Sequence, residues 1–308
     1  MAGRKHVAVL LGGWAAERPV SLNSGAACAS ALERAGYQVT PVDVGRDIAT
    51  VLSDLKPDVA FNALHGPGGE DGVIQGVLET LSIPYTHSGV LASALAMNKA
   101  ISREIFASHA IPIATGRLVS REEAAQGHVY QPPYVLKPVG EGSSFGVFIV
   151  REDMEHPPQE LHSADWRFGE TMLAEKFVAG KELTCAVLGD RSLGVTEIVP
   201  TSMFYDYEAK YAEGGSRHVV PAPLKPKIYH EIETLAVKAH KALGCRGVTR
   251  ADFRYDDRPD GSGALVCLEV NTQPGMTETS LVPELAQHAG MSLEELVGWM
   301  VEDASCDR

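Results

Sequence analysis

The sequence predicts an α/β protein with additional α+β elements, and three observations lead to this fold class. An apolar run at residues 7–11 precedes two glycines and a helical pattern over residues 19–35. A second apolar run, at residues 58–64, leads into a glycine-rich loop and another helical pattern. Toward the carboxyl end, strand-like runs follow one another with connections too short for helices. Alternating strands and helices predict a parallel sheet, whereas closely spaced strands predict an antiparallel one.

The amino-terminal elements predict one parallel α/β domain at residues 1–97. Pro19 suits the first turn of a helix, where its missing backbone N–H costs no hydrogen bond. Residues 38–42 form the next predicted strand and complete a strand–helix–strand unit. The loop H-G-P-G-G-E-D-G then leads into a helix at residues 73–81, and the domain ends near Met97.

The middle of the chain predicts a small α+β unit, which we place at residues 98–180. A helix is expected at residues 99–109, followed by a break at Pro112. Two predicted strands, at residues 134–138 and 147–150, flank the loop G-E-G-S-S-F-G. The change from long helices to short strands marks this unit as a separate domain.

The last predicted domain, residues 181–308, is a largely antiparallel sheet with a long helix at residues 227–243. Its four predicted strands are residues 182–188, 191–199, 247–255 and 264–270. A polar and aromatic stretch at residues 201–217 contains two adjacent glycines and is predicted to be a long loop. Loops of this length commonly act as lids or binding elements, so we predict a lid here.

The composition excludes several kinds of partner and location. The 308 residues carry a net charge of -13 and no basic tract, so nucleic acid and membrane surfaces are not expected as partners. The five cysteines are scattered, which indicates a reducing compartment rather than a disulfide framework or a zinc site. The only apolar run near the start is too short for a signal peptide, so a cytoplasmic location is expected.

Polar and apolar side chains alternate on two predicted strands near the carboxyl end. Arg250 and Asp252 point to the same face of one strand, and Glu269 and Asn271 do so on the next. The side-chain oxygens of Asp252, Glu269 and Asn271 would suit magnesium, a hard cation that also binds nucleotide phosphates. The alternative is a solvated sheet face, which for an arbitrary half-exposed strand is favoured by roughly two to one. Alternation alone leaves both interpretations open.

Two further segments are weak indications of a nucleotide site. Lys137 precedes a loop whose backbone N–H groups could bind phosphate oxygens while the lysine supplies positive charge. The loop lacks the G-K-[ST] ending of a Walker A motif, so an ordinary turn is about equally favoured. The run E-K-F-V at residues 175–178 resembles a hinge that binds adenine through its main chain.

Glu17 lies at the mouth of the first strand–helix unit, where open α/β sheets bind their ligands. Its carboxylate could pair with a substrate ammonium group, although a glutamate before a helix is more often simply favourable to the helix dipole. His65, on the glycine-rich loop, could orient this glutamate. A purely structural hydrogen bond is the alternative for the histidine.

Six segments together resemble a known family. In chain order they are V-L-L-G-G-W-A-A-E-R-P-V-S-L-N-S-G, A-L-H-G-P-G-G-E-D-G, L-K-P-V-G-E-G-S-S-F-G, F-Y-D-Y-E-A-K-Y, R-G-V-T-R-A-D-F and L-E-V-N-T-Q-P-G-M-T. Their order and spacing resemble those of the D-alanine:D-alanine ligase family, within the ATP-grasp superfamily, over nearly the whole chain. The resemblance implies an ATP-grasp fold, in which an amino-terminal parallel domain precedes two α+β domains that clasp ATP.

The resemblance implies nucleotide and metal ligands. The residues that match the family's ATP-binding positions are Lys99, Lys137, Glu175, Lys176, Glu182 and the backbone of Val178. Those that match its magnesium ligands are Asp252, Glu269 and Asn271. Two magnesium ions are implied, manganese is an expected substitute, and a role for potassium is left open.

The resemblance also implies catalytic residues. Glu17 matches the residue that receives the ammonium group of the first D-alanine. Ser143 and Tyr211 match its hydrogen-bonded partners, which link the glycine loop to the predicted lid. Arg250 and the backbone N–H of Gly275 match a pair that stabilises an oxyanion.

Four further positions acquire roles through the same resemblance. His65 matches a neighbour of the first D-alanine. Ser280 and Leu281 match the residues that hold the carboxylate of the second D-alanine. Lys210 matches a lysine that reaches the transferred phosphate.

The implied activity is the ATP-dependent ligation of two D-alanine molecules through a D-alanyl phosphate, for peptidoglycan precursor synthesis. Relatives that use D-lactate typically have histidine in place of Tyr211, so D-alanine is the expected second substrate and D-lactate or D-serine are the alternatives. An inactive nucleotide-binding module is a further alternative. An oxidoreductase is disfavoured because G-x-G-x-x-G is absent. A homodimer formed through the first domain is also implied.

Three residues depart from the family pattern. Trp14 and Ala15 replace a small polar pair, and Gln273 stands where the family commonly has serine in N-T-S-P-G. Because Gln273 is close to the predicted metal ligands, we expect it to alter the bonding around them without removing a ligand.

Overall fold

The structure is a computed structural model that describes residues 4–143, 145–200, 215–277 and 279–306. Its strands are β1 (His6–Leu11), β2 (Gln38–Asp43), β3 (Val59–Asn62), β4 (Gly116–Ser120), β5 (Tyr134–Pro138), β6 (Phe148–Val150), β7 (Thr171–Lys176), β8 (Lys181–Leu188), β9 (Arg191–Pro200), β10 (Ser216–Val219), β11 (Val248–Tyr255) and β12 (Leu265–Asn271). Its α-helices are α1 (Arg18–Arg34), α2 (Ile48–Leu55), α3 (Val73–Leu81), α4 (Val90–Met97), α5 (Lys99–Ser108), α6 (Arg121–Gln126), α7 (Pro226–Ala242), α8 (Leu281–His288) and α9 (Leu293–Asp303). Within these ranges the strands form three sheets.

The first sheet is parallel and has the strand order β2-β1-β3, which confirms the predicted α/β arrangement. Helix α1 has its proline in the first turn, and α3 spans the predicted residues. The short helix α2 is an addition to the prediction; its apolar residues Ile48, Val51, Leu52 and Leu55 follow a helical period, so the sequence could have predicted it. Because β1 and β3 are adjacent and parallel, the loops that follow them meet at one edge of the sheet.

The central sheet has the order β4-β7-β5-β6, and its paired strands run antiparallel. Strands β5 and β6 confirm the prediction for this region. Strand β4 is an addition; it buries only Val119, so its sequence lacks the alternation typical of a half-buried strand. Strand β7 leads directly into the predicted adenine hinge.

The third sheet has the order β10-β9-β8-β11-β12, and its neighbouring strands are antiparallel, as predicted. The predicted loop at residues 201–217 is wrong at its end, because Ser216 and Arg217 belong to β10. They pair with Pro200 and Val199 at the edge of β9, which provides backbone partners that a loop would lack. The rest of that loop, residues 201–214, lies outside the described residues.

One apolar core joins the first sheet to the carboxyl-terminal part of the chain. Val7, Val9 and Phe61 of the first sheet share it with Val248 of β11 and Met276 beyond β12. The central sheet packs around a separate core. The segment that follows β12 is therefore packed close to the first sheet, while the predicted domain boundaries stay predictions. In the described ranges, the helices are too short or too polar to cross a membrane.

Candidate active site

The register of β11 and β12 brings the predicted metal ligands together. Arg250 lies opposite Asn271, and Asp252 lies opposite Glu269. Asp252 accepts hydrogen bonds from Arg250, at 2.9 and 2.7 Å, and from Thr184 Oγ1 at 2.6 Å. The side chains of Arg250 and Asp252 are only 14% and 13% exposed to solvent. This face is therefore not an open, solvated sheet surface.

The donor atoms on this face fit a divalent cation. Asp252 and Glu269 offer carboxylate oxygens, and Asn271 offers an amide oxygen that accepts from the backbone N–H of Gln273 at 2.7 Å. Such oxygens are the ligands that magnesium prefers. The described part of the chain contains no cluster of three or more His, Cys, Asp or Glu side chains arranged as a metal site. A metal here would depend on the asparagine and on phosphate or water oxygens, so the ligand set stays a prediction.

A cavity of about 1090 Å³ lies between the central and third sheets. All six of the predicted ATP-binding residues line it: Lys99, Lys137, Glu175, Lys176, Val178 and Glu182. Asp252 and Glu269 line it as well, which places the predicted metal ligands beside the predicted nucleotide site. This volume is slightly above the usual range of small-molecule and cofactor sites.

Glu175 is buried, and its carboxylate is held by two cations. Lys137 Nζ lies 2.5 Å from Glu175 Oε2, and Arg103 contacts the other carboxylate oxygen. Arg103 also donates to the carbonyl of Ala114 at 2.8 Å. A buried charge needs such partners, and the pairing fixes the Lys137 ammonium group at the cavity wall. Arg103 is absent from the predicted site, because nothing in the helix pattern of α5 distinguishes it.

Lys99 connects the nucleotide cavity to the metal face. Asn98 caps α5 by accepting from the backbone N–H groups of Ala100 and Ile101, both at 3.1 Å. Lys99 is therefore held at the first turn of the helix. Its ammonium group lies 3.2 Å from Glu269 Oε2 and donates to the carbonyl of Glu141 at 2.5 Å. A triphosphate in the cavity would meet this positive charge.

Arg254 organises the predicted adenine hinge and was missed by sequence reasoning. Its guanidinium donates to the carbonyls of Val178 and Gly180, both at 3.0 Å, and to Glu182 Oε2 at 3.3 Å. Burial lowers the pKa of Arg254, and the carboxylate of Glu182 opposes this effect. Strand alternation could have found this residue, because Arg254 shares a face with Arg250 and Asp252.

A second cavity, of about 620 Å³, adjoins the first. The predicted residues that line it are His65, Ser143, Arg250, Asn271, Gly275, Ser280 and Leu281. Lys99, Glu141, Gly142 and Glu269 line both cavities. A group bound in one cavity could therefore reach a group bound in the other.

Glu17 is only 2% exposed and does not itself line this cavity, but it lies behind Gly142, which does: a Cβ added at Gly142 would lie 3.5 Å from Glu17 Oε1. Its carboxylate packs against Gly66, where an added Cβ would lie 2.4 Å from Glu17 Oε2. The pKa of Glu17 is raised, chiefly by burial and further by the nearby charges of Glu70 and Glu141. Hydrogen bonds with its own backbone and with Ser143 lower the pKa and so oppose this effect. A carboxylate in this environment would gain strongly from a cationic partner.

His65 is held on both ring nitrogens. Nδ1 lies 3.1 Å from Glu70 Oε1, and Nε2 lies 3.3 Å from the hydroxyl of Ser24. These contacts orient the ring at the wall of the second cavity. Glu70 and Ser24 are therefore additions to the predicted site, and only the folded loop brings them next to the histidine.

The start of α8 also lines the second cavity. Ser280 precedes this helix, and its hydroxyl accepts from the backbone N–H of Thr277 at 3.0 Å. Leu281 is the first helical residue. The amino end of a helix favours an anion such as a carboxylate. The two remaining predicted residues, Lys210 and Tyr211, lie outside the described residues.

Comparisons with known proteins decide the family. Residues 109–302 match the family described as D-ala D-ala ligase C-terminus, and residues 48–88 match D-ala D-ala ligase N-terminus. The chain belongs to the D-alanine--D-alanine ligase family. Family membership confirms the resemblance found in the sequence and excludes the oxidoreductase interpretation.

Relatives in this family match the chain from end to end. A D-alanine--D-alanine ligase of Xanthobacter autotrophicus is 67% identical over 305 residues, covering 99% of each chain. Another, of Afipia carboxidovorans, is 64% identical over 308 residues and covers 100% of each. The crystal structure of a D-alanine--D-alanine ligase from Bacillus anthracis has a TM-score of 0.81 at 30% identity, over 97% of each chain. A crystal structure of a D-alanine--D-alanine ligase from Bacillus anthracis complexed with ATP has a TM-score of 0.79 at 26% identity, again over 97% of each chain. These likenesses confirm the predicted ATP-grasp fold.

Proposed function

We propose that the protein joins two D-alanine molecules to D-alanyl-D-alanine with the conversion of ATP to ADP and phosphate, for peptidoglycan precursor synthesis. The observation that carries this proposal is the pair of adjoining cavities that share Lys99 and Glu269. The larger one is large enough for a nucleotide, and the smaller one is lined by the amino end of α8 and by Gly142, behind which the buried Glu17 lies. Full-length relatives named D-alanine--D-alanine ligase support the same activity.

In the first step, the carboxylate of one D-alanine attacks the γ-phosphorus of ATP. A new bond forms between a carboxylate oxygen and phosphorus, and the bond from phosphorus to the β,γ-bridging oxygen breaks, so ADP leaves. Positioning and charge stabilisation dominate such a step. Lys99 and Lys137 provide positive charge at the wall of the nucleotide cavity, and Lys210 matches a third lysine for the transferred group.

Magnesium would be held by Asp252, Glu269 and Asn271, where two ions, or manganese in their place, would neutralise phosphate charge. The donor types on this face support that assignment. Arg254 would keep the hinge at Val178 in place for adenine, and Glu182 would contribute to the same ATP site.

In the second step, the amine of the other D-alanine, having lost a proton, attacks the carbonyl carbon of the D-alanyl phosphate. A carbon–nitrogen bond forms, and the carbon–oxygen bond to phosphate breaks. Arg250 and the backbone N–H of Gly275 line the second cavity and would stabilise the oxyanion. Because water would hydrolyse the intermediate, the segment at residues 201–217 is proposed to close as a lid through Tyr211.

The two amino acids would bind in the second cavity, each held by a different group of residues. Glu17, supported by Ser143 and near His65, would receive the ammonium group of the first D-alanine. This partner would offset the cost of the buried carboxylate charge. Ser280 and the amino end of α8 at Leu281 would hold the carboxylate of the second.

D-lactate and D-serine are the alternative second substrates, and Tyr211 favours an amino acid. An inactive nucleotide-binding module is a weaker alternative, since Arg250 and the oxygen ligands share one face of the sheet. The test is an assay of purified protein with ATP, magnesium and each of the three candidates. We expect phosphate release with dipeptide formation from D-alanine and little product with D-lactate. Absence of the dipeptide by mass spectrometry would contradict the proposal.

We further propose a homodimer formed through the first domain and a cytoplasmic location, where ATP is supplied. The family resemblance supports the dimer. Light scattering on the purified protein would give its mass in solution. A monomeric mass at assay concentrations would contradict the dimer.

A further inference from the structure

Gln273 bridges the segment after β12 and the end of β3. Its side chain is only 1% exposed, and that of Asn62 is fully buried. Asn62 Nδ2 donates to Gln273 Oε1 at 3.0 Å, and Gln273 Nε2 donates back to the backbone carbonyl of Asn62. The two residues are 211 positions apart in the chain. A shorter side chain, such as the serine common in the family, could not make both bonds.

Asn62 also forms hydrogen bonds with the glycine-rich loop that carries His65. The second N–H of its amide donates to the carbonyl of Gly69 at 3.1 Å, and its oxygen accepts from the backbone N–H of Leu64 at 3.1 Å. All polar atoms of the Asn62 side chain are therefore engaged. Because Asn62 is fully buried and each polar atom of its side chain is bonded, these contacts favour one geometry of the loop.

A second link lies on the other side of Gly275. The backbone N–H of Met276 lies 3.4 Å from the hydroxyl of Ser24, which also contacts His65. Gln273 and Met276 thus fix the chain on both sides of Gly275. The backbone of Gln273 also donates to the amide oxygen of Asn271. One short segment therefore carries a predicted metal ligand, a predicted oxyanion donor and both links to the His65 loop.

We propose that Gln273 is a positioning residue that holds the Gly275 N–H and Asn271 in register with the first-substrate wall at His65. This inference rests on the proposed function. Without the link, the carbonyl of the D-alanyl phosphate and the oxyanion donors would lose their alignment. Attack by the second amine would then slow relative to attack by water, and phosphate would be released without dipeptide.

The test compares wild type with Gln273→Met, which keeps length and volume but removes both hydrogen bonds. We expect kcat to fall by about tenfold or more, because small misplacements of reacting groups are costly. The phosphate released per dipeptide should rise above the wild-type ratio. The KM for ATP should change little, since Asn62 and Gln273 do not line the nucleotide cavity.

A matched control separates positioning from loss of stability. Tyr229→Phe removes a half-buried hydrogen bond, in which the hydroxyl of Tyr229 accepts from the backbone N–H of Val195 at 2.9 Å, away from both cavities. It should lower Tm while leaving kcat and the phosphate-to-dipeptide ratio unchanged. If Gln273→Met does not fold, Gln273→Ser serves instead, because the family commonly has serine there. Its phenotype should match that of Gln273→Met.

The outcomes of this comparison are distinct. A wild-type protein that forms no dipeptide contradicts the proposed function itself. An active wild type, together with Gln273 variants that keep the wild-type kcat and phosphate-to-dipeptide ratio, contradicts the positioning role. A uniform loss of Tm and activity with an unchanged ratio also contradicts it, because that result reports stability alone.

Discussion

At the scale of single residues, Glu17 combines deep burial with a negative charge. Its pKa is raised above the ordinary value of 4.5, chiefly by burial, so the charged form opposes folding when substrate is absent. For an acid with a raised pKa, the free energy of unfolding falls as pH rises above the ordinary value. The substrate ammonium group would reverse this penalty on binding.

Glu17→Gln should therefore raise Tm at pH 7 in the absence of substrate. This gain should shrink toward pH 4.5, where the unfolded-state carboxyl also becomes protonated. The same variant should lose roughly 10- to 100-fold in kcat/KM for D-alanine, because a charged hydrogen bond is removed. Thermal melting across pH and steady-state kinetics measure the two effects. A lower Tm at pH 7, or an unchanged kcat/KM, would count against this role for Glu17.

Arg254 is the second residue whose role can be tested alone. Arg254→Met removes the bonds to the Val178 and Gly180 carbonyls and to Glu182 while keeping much of the buried volume. We expect the KM for ATP to rise by about tenfold or more, with a smaller change in kcat, because these bonds shape the adenine hinge. Arg117→Met, which breaks an exposed pair with Glu123, is the control and should leave the KM for ATP unchanged. An unaltered KM for ATP in Arg254→Met would contradict the role in the hinge.

At the scale of elements, two helix caps offer a matched comparison. Asn98 caps α5, whose first residue is Lys99, and Ser292 caps α9 through a capping box with Glu295. Asn98→Ala and Ser292→Ala should each cost about 1 kcal/mol of stability. Only Asn98→Ala should also lower kcat, by several-fold, since it loosens the turn that holds Lys99. Equal kcat in the two variants would show that the cap does not position the lysine.

Strand alternation is why the metal face could be predicted from the sequence. Arg250 and Asp252 differ by two positions, as do Glu269 and Asn271, so each pair shares a face in any extended strand. Once β11 and β12 are neighbours in the sheet, the two pairs of side chains lie side by side on that face. Arg254 follows the same rule and could have been included.

Contacts between distant parts of the chain could not be predicted in this way. The Asn62–Gln273 link joins residues that no local pattern relates, and the burial of Glu17 depends on loops that meet only in the folded chain. Strand β4 has a single buried residue, Val119, so it gives no alternating signal. The edge pairing that turns Ser216 and Arg217 into strand depends on β9, which is also a tertiary effect.

At the scale of the whole molecule, the architecture brings two cavities together at Lys99 and Glu269. The central and third sheets enclose one cavity, and helix α1, the loop after β3 and the segment after β12 border the other. A shared apolar core joins the first sheet to that segment, and the Asn62–Gln273 link fixes its end. Under the proposed function, this arrangement would let a phosphoryl group pass from a nucleotide in one cavity to a carboxylate in the other.

The transfer of a carboxylate oxygen to phosphate tests this central claim most directly. If D-alanine labelled with ¹⁸O in its carboxylate is supplied with ATP and magnesium, the oxygen that bonds to phosphorus must leave with phosphate when the amine attacks. Mass spectrometry should therefore find one labelled oxygen in the phosphate for each D-alanyl-D-alanine formed. Dipeptide formation with unlabelled phosphate would contradict the D-alanyl phosphate route.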